Sequence, residues 1–91
     1  MTVYNAKENG FEFKVIPSEY ANKLYDVWHG NTFILSFGEK GNRHYKDKFG
    51  YYKDLDHLDK TKRKSFMSAN KLKEDYYDIT KPLYWIKTYL Y

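Results

Sequence analysis

The sequence predicts a single small α+β domain, in which a three-stranded antiparallel sheet is followed by a basic loop and two helices packed on that sheet. Apolar residues alternate with a period of two within residues 11–37, and they recur at helical spacing within residues 59–91. The 91 residues leave room for one core only. We therefore predict one domain over residues 1–91, with a β-meander at 11–37, a basic aromatic loop at 38–58 and a helical part at 59–91.

The first predicted strand covers residues 11–16, where three apolar residues alternate with charged ones. Pro17 stops this strand because it lacks the amide proton that a strand ladder needs. Residues 1–10 are polar and end at Asn9-Gly10, a pair that is typical of a turn. We predict no strand within them.

Residues 18–37 allow two interpretations. Apolar and aromatic residues between Tyr20 and Trp28 fit a helical stripe with Ser18 as the N-cap. Alternatively, Gly30-Asn31 is a two-residue hairpin turn between strands at 24–28 and 32–37. We favour the hairpin. Three residues of its second strand are then expected to share one face, namely Phe33, Leu35 and Phe37.

Two helices are predicted after the loop. Asp59 can serve as the N-cap of a helix that runs to about Lys73 and turns its cations to water. Pro82 fits the first turn of a short last helix, because the amide proton that it lacks is not needed there. The predicted apolar stripes are Phe66, Ala69 and Leu72 in the first helix and Leu83, Ile86 and Leu90 in the second.

Positive charge is concentrated in the second part of the chain. The net charge is −1 over residues 1–38 and +5 over residues 39–91, and eleven Lys or Arg face four Asp between Lys40 and Lys73. Such a field attracts nucleic acid or an acidic protein surface. Lys outnumbers Arg fourteen to two, which argues against base-specific recognition. AT-rich coding would produce the same excess of Lys without any functional meaning.

Rings dominate the apolar residues. Eleven Tyr, six Phe and two Trp stand against fourteen Val, Ile and Leu, so the core must be built largely from aromatic side chains. Tyr and Trp combine an apolar body with a polar group, which suits half-buried positions and interfaces. We expect several of them to face a partner.

Catalytic and metal chemistry are not predicted. The absence of Cys excludes disulfides, thiolate nucleophiles and zinc fingers. His29, His44 and His57 are 15 and 13 residues apart, which does not predict converging metal ligands. His57 and Asp59 could form an acid–base pair, but a helix N-terminus explains both residues more simply. We expect no metal, no cofactor, no catalytic residue and no enzymatic activity.

No membrane partner is expected either. The longest apolar runs are far too short to cross a bilayer. The first residues also lack the basic and then apolar pattern of a signal peptide.

Cations interleaved with rings in the loop, followed by a lysine cluster, are the strongest functional signal. Single-strand binders combine a basic groove with rings on which bases stack, and exposed helix lysines can grip phosphates. The alternative is a solvated helix face, with the rings serving the core. Residues expected to contact a partner or nucleic acid are Arg43, Lys46, Lys48, Tyr51, Tyr52, Lys53, Lys60, Lys62, Arg63, Lys64, Trp85, Tyr89 and Tyr91.

A series of motifs runs through the 60 residues from 32 to 91: Phe37-Gly38-Glu39-Lys40-Gly41, Tyr45-Lys46-Asp47-Lys48, Leu55-Asp56-His57-Leu58-Asp59, Lys62-Arg63-Lys64, Phe66, Tyr84-Trp85 and Leu90-Tyr91. In this order they resemble a family of small proteins encoded by tailed bacteriophages and large DNA viruses. Two positions depart from the family pattern. Ala69-Asn70 stands where the family usually has Arg-His, and Tyr91 stands where its last residue is commonly Trp. The glycines of the first motif could cradle a phosphate, although a strand-ending turn is their usual meaning.

The resemblance implies a viral protein without a settled activity, so it implies no catalytic residue. We expect a non-enzymatic virion component, such as a minor capsid, decoration or inner-core protein that binds other virion proteins and is present in the host cytoplasm before assembly. A marginal domain gains stability by docking onto a large lattice. Packaged DNA and a second copy of the chain are further expected partners. The alternatives are a small basic nucleic-acid-binding protein and an early phage inhibitor of a host protein.

Overall fold

A computed structural model describes residues 2–91. Short 3₁₀ turns lie at Lys53–Leu55 and Glu74–Tyr77. No helix within residues 2–91 is both long and apolar enough to cross a membrane. The strands are β1 (Tyr4–Glu8), β2 (Phe11–Pro17), β3 (Lys23–His29) and β4 (Thr32–Glu39), and the helices are α1 (Lys60–Asn70) and α2 (Pro82–Tyr89).

The fold is α+β, but its sheet has four strands in the order β1-β2-β3-β4, so the predicted number of three is wrong. The strand missed at the sequence level is β1, which pairs antiparallel with β2 and places Ala6 opposite Phe13. Asn9 and Gly10 both have positive φ, of 52° and 82°, which is the geometry of a two-residue hairpin turn. Asn9-Gly10 predicts a turn, and the structure shows that this turn joins β2 to a preceding strand, β1.

The hairpin of β3 and β4 is confirmed, with Gly30 at a φ of 60° in its turn. The expected common face of its second strand is wrong at one residue. A register shift between Val27 and Trp28 places Val27 opposite Leu35 but Trp28 opposite Phe33. The extra residue in β4 reverses the alternation. Phe33 therefore leaves the buried face and packs its ring 5.6 Å from that of Trp28.

The N-cap predicted for α1 is confirmed, since the Asp59 carboxylate accepts hydrogen bonds from the amides of Thr61 and Lys62 at 2.9 and 3.2 Å. The helix ends at Asn70, short of the predicted end. The prediction that both helices pack on the sheet is wrong for α1, which has no buried residue. Its predicted stripe fails at Ala69, which is exposed, and at Leu72, which lies beyond the end of the helix and is 91% exposed.

The core is an aromatic stack between the sheet and α2. Trp85 is fully buried, and its ring lies parallel to that of Phe37 at 6.0 Å and edge-on to that of Phe13 at 5.2 Å. Its indole N–H donates to the carbonyl of Ile79 at 2.8 Å, so its polar group is satisfied. The buried core residues are Ala6, Phe13, Val15, Leu24, Tyr25, Val27, Leu35, Phe37, Tyr76, Trp85 and Leu90.

A carboxylate ties β1 to α2. Glu8 accepts hydrogen bonds from the phenols of Tyr84 and Tyr89. Burial, together with this carboxylate, raises the pKa of Tyr84 to about 12 and raises the pKa of Tyr89 as well. Both phenols therefore remain donors across the neutral range, and the strand that the sequence analysis missed is fixed to the last helix.

Candidate functional site

The loop after β4 is organised around the buried carboxylate of Asp47. This carboxylate accepts hydrogen bonds from the amides of Phe49 and Tyr52, both at 2.9 Å, and from the phenol of Tyr25. Burial and the Asp47 carboxylate raise the pKa of the Tyr25 phenol, which keeps it a donor. The loop therefore has a fixed conformation and a satisfied buried charge.

Main-chain hydrogen bonds join the same loop to the end of α2. The amide of Lys46 donates to the carbonyl of Leu90 at 3.1 Å, and the amide of Lys48 donates to that of Tyr89 at 2.9 Å. The ammonium of Lys48 also donates to the carbonyl of Thr88 at 2.6 Å. Burial and the charge of Arg63 lower the pKa of Lys48. This lysine thus serves the joint between loop and helix.

A histidine and a carboxylate from the two ends of the loop, His44 and Asp56, are in close contact. His44 is 2% exposed, and its Nε2 lies 2.7 Å from the Oδ1 atom of Asp56. That oxygen also accepts the amide of Asp47 at 2.8 Å. Neither ring nitrogen of His44 has a partner with hydrogen-bond geometry within residues 2–91, so the contact with Asp56 is a close approach without a hydrogen bond. The Nδ1 atom of His44 is left without any partner.

A cleft opens beside His44 and has a volume of about 610 Å³. We call it the histidine cleft. It gathers residues from β4, the loop, α1 and α2, which are far apart in sequence. Its lining is Leu24, Gly38, Glu39, Asn42, Arg43, His44, His57, Lys62, Phe66, Ile86, Leu90 and Tyr91.

Gly38, at the edge of this cleft, has a packing role. Its φ is +76°, and an added Cβ would lie 2.9 Å from the Cδ1 atom of Leu24. Nothing lies within 4 Å of a Cβ placed at Gly41. The close approach of β4 to Leu24 therefore accounts for the first glycine of the Phe-Gly-x-x-Gly motif without any ligand.

Arg43, His57 and Lys62 converge in the histidine cleft. Burial lowers the pKa of His57, and the charges of Lys62 and Arg43 lower it further against an opposing effect of Asp59. The neutral ring accepts the amide of Asp59 through Nδ1 at 2.9 Å. The cleft is thus cationic through its Lys and Arg side chains rather than through His57.

A second collection of cations, which we call the basic face, consists of Lys60, Arg63 and Lys64 of α1 and of Lys71 directly after the helix. These residues line a second cleft of about 550 Å³ together with Tyr45 and Tyr76. The guanidinium of Arg63 lies 5.3 Å from the centre of the Tyr45 ring and donates to the main-chain oxygen of Tyr91 at 2.8 Å.

Carboxylates do not neutralise this charge. Within residues 2–91, Lys23 is the only Lys or Arg with an Asp or Glu carboxylate oxygen inside 4 Å, and its partner is Glu39 at 3.5 Å. Within residues 2–91, no Asp or Glu carboxylate therefore neutralises the eleven cations between Lys40 and Lys73, and three of them, Arg43, Lys48 and Arg63, donate to main-chain oxygens.

The cations expected to contact a partner lie at the surface, except Arg63, which is half-buried. The rings largely do not. Trp85 is fully buried, which corrects its expected role as a contact, and Tyr52, Tyr89 and Tyr91 are partly buried. Only Tyr51 is substantially open, at 49% exposure. Aliphatic residues are few in this sequence, so the core is built from aromatic side chains. Most of the rings that were expected to contact a partner are therefore not at the surface.

Other rings are exposed that the sequence analysis did not single out. Phe33 on β4 is 40% exposed and Tyr20, in the connection between β2 and β3, is 56% exposed, and their ring centres are 6.1 Å apart. Tyr77, between the helices, is 64% exposed. The alternation of apolar residues in the sequence does not reveal the register shift that turns Phe33 outward.

No cluster of three or more His, Asp or Glu side chains suited to a metal ion occurs within residues 2–91. Comparison with known proteins adds no assignment: no family model, no curated protein and no solved structure matches the sequence.

Proposed function

We propose that this protein is a non-enzymatic DNA-binding component of a viral particle, and that its basic face lies against packaged DNA. The viral setting is taken from the motif resemblance in residues 32–91. The observation that carries the binding function is the set of cations between Lys40 and Lys73, none of which has a carboxylate partner within residues 2–91.

The arrangement of these cations suits a phosphate backbone. Four of them line one cleft on α1, a helix that contains no acidic residue. Lys is a mobile point charge that fits phosphates without reading bases, and only Arg43 and Arg63 could form bidentate contacts. The proposed binding is therefore electrostatic and independent of base sequence.

The test is a salt series of DNA affinity, measured by fluorescence anisotropy with labelled duplexes of unrelated sequence. Counterion release predicts that affinity falls steeply between about 50 and 200 mM salt, with a slope of about −0.9 per phosphate contacted. The double variant Lys64→Glu/Lys71→Glu should bind more weakly and flatten this slope by about two. The double variant Lys7→Glu/Lys14→Glu changes the net charge equally at two exposed positions of the sheet. It is expected to keep the slope.

Two results would reject the proposed DNA binding. One is the absence of binding at low salt, and the other is an equal loss in both double variants, which would mean that net charge alone matters. Mass spectrometry of purified particles tests the viral part, because a virion component must be present there in stoichiometric amount.

An exposed pair of rings favours a second candidate, a virion protein that docks onto other virion proteins. Tyr20 and Phe33 are exposed side by side, and exposed rings are common anchors of protein interfaces. The double variant Tyr20→Ser/Phe33→Ser should reduce incorporation into particles. Tyr77→Ser, at an equally exposed ring elsewhere, should not. Equal incorporation of the unchanged protein, the double variant and Tyr77→Ser would reject this candidate.

A further inference from the structure

The solvent-accessible wall of the histidine cleft is largely apolar. Phe66, Ile86 and Tyr91 line the cleft and are partly exposed, and the two rings form a parallel pair with centres 4.0 Å apart. The cleft volume of about 610 Å³ lies in the ordinary range of small-molecule sites. Apolar surface that stays in contact with water in a cleft of this size favours a ligand with an apolar body.

Two cations stand at the same cleft. Arg43 and Lys62 both line it and are exposed, and neither has an Asp or Glu carboxylate oxygen inside 4 Å within residues 2–91. One N–H group of the Arg43 guanidinium donates to the main-chain oxygen of Asp56 at 3.0 Å. Because a guanidinium has five such donors, this bond holds the group in place and leaves donors for a ligand.

The acidic side chains near the cleft do not cancel this charge. Glu39 is the one carboxylate in the lining, and Lys23 engages it at 3.5 Å. Asp56 and Asp59 are close in sequence to the lining residues but do not line the cleft themselves. The charge that a ligand meets is therefore positive, and the site favours an anion.

We propose that the histidine cleft binds an amphiphilic anion, with its apolar body against Phe66, Ile86 and Tyr91 and its negative group on Arg43 and Lys62. The anion is either a free small molecule or the carboxyl end of a protein chain that finishes in an apolar residue. Both present a negative group beside an apolar one. This site goes beyond the proposed function, which concerns DNA along the basic face.

Three ligands that share one alkyl chain test the negative group: octanoate, octanol and octylamine. Each is titrated into the full chain, and binding is followed by amide chemical shifts in NMR. Octanoate should bind saturably and shift the amides of Gly38, His57 and Tyr91. Octanol should bind about tenfold more weakly, because it lacks the charge-assisted contacts, and octylamine should not bind. Octanol or octylamine binding as tightly as octanoate would overturn the proposal.

Acetate tests the apolar body, since it keeps the carboxylate of octanoate and lacks its chain. It should bind at least about tenfold more weakly than octanoate, because the burial of the chain is lost. Equal binding of acetate and octanoate would mean that the cleft is a general anion site, which contradicts the proposal.

Variants separate the site from general charge. Arg43→Gln and Lys62→Gln should each weaken octanoate binding about tenfold and leave octanol binding unchanged, since each removes one charge-assisted contact. Lys60→Gln is the matched control, because Lys60 is an exposed lysine of the same helix as Lys62 and does not line this cleft. An equal loss in all three, or no loss in the first two, would contradict the proposal.

Phe66→Ala tests the apolar wall. It should weaken octanoate and octanol alike, by about fivefold, because both ligands lose the same apolar contact. Circular dichroism shows whether the variant is folded. If it is not, the Arg43 and Lys62 variants decide the outcome, since both positions are exposed. Unchanged binding in a folded Phe66→Ala variant would contradict the placement of the apolar body.

A short peptide that ends in leucine, with a free or an amidated carboxyl group, distinguishes the two sources. A chain end as ligand predicts that the free-carboxyl peptide binds more tightly than octanoate and loses about tenfold on amidation. A free small molecule as ligand predicts that octanoate binds more tightly than either peptide. Both results support the site, whereas no saturable binding of octanoate or peptide rejects it. DNA binding by the basic face can succeed or fail independently, because Lys64 and Lys71 do not line this cleft.

Discussion

The sheet and α1 are held in the fold by different kinds of contact. The four strands pair along their main chains and bury their inward side chains, whereas α1 has no buried residue. Charge differs as well, since residues 1–38, which hold nearly the whole sheet, have a net charge of −1, whereas α1 holds four Lys or Arg and no acidic residue. The sheet with α2 therefore supplies the core, and α1 is attached to it as a cationic surface.

The attachment of α1 is made at a few points. Asp59 caps its first turn, Phe66 stacks on Tyr91, and Arg63 donates to the main-chain oxygen of Tyr91. A helix held in this way can keep its lysines fully hydrated and available. The same lysines at a core-facing position would need partners or desolvation.

The largest effect of a substitution is expected at Trp85, where α2 meets the sheet. Trp85→Ala should lower the free energy of unfolding by about 3–5 kcal/mol, because it removes the largest buried ring and leaves a cavity. Urea denaturation followed by circular dichroism measures this loss. Leu72→Ala, at a 91% exposed position, is the control and should change stability by less than about 0.5 kcal/mol. A small effect at Trp85 would mean that α2 does not belong to the core.

Local sequence signals predict much of the fold, but they do not predict the histidine cleft. Gly30-Asn31 predicts the second hairpin and Asp59 predicts the start of α1, because each residue type satisfies a local backbone need. The turn at Asn9-Gly10 carries the signal for β1, and applying the hairpin rule there predicts a fourth strand.

The histidine cleft could not be predicted in the same way. Arg43, His57, Lys62 and Tyr91 are brought together by the path of the loop and by its main-chain bonds to α2. Neither spacing nor composition encodes that path. Asp47 stands between lysines in the sequence, and nothing in that pattern predicts that its carboxylate is buried and accepts three hydrogen bonds.

The next largest effect is expected at Gly38, which belongs to the sheet but borders the cleft. Gly38→Ala should destabilise the protein by about 1–3 kcal/mol, since the new Cβ meets Leu24 at 2.9 Å and the residue has a φ of +76°. Chemical denaturation gives the value. Gly41→Ala is the control, because an added Cβ there meets nothing within 4 Å. Equal losses at both glycines would contradict the packing role of Gly38.

A smaller effect is expected where α1 is attached. Phe66→Ala should lower the free energy of unfolding by about 1 kcal/mol, because it removes a stacked pair that is only partly buried. Hydrogen exchange should become faster in α1 and remain unchanged in the strands, since the helix is not part of the core. Faster exchange throughout the sheet would show that α1 is coupled to the core after all.

The smallest effect is expected at Leu58, between the loop and α1, and its sign is opposite. Leu58 has a φ of 55° and is 58% exposed, so its side chain gains little burial in a backbone conformation that disfavours leucine. Leu58→Asn should raise the free energy of unfolding by about 0.5–1 kcal/mol, because asparagine tolerates this conformation. Leu72→Asn makes the same change at an exposed leucine without positive φ and should not stabilise. A loss of stability at Leu58 would mean that its side chain has a packing role that its exposure conceals.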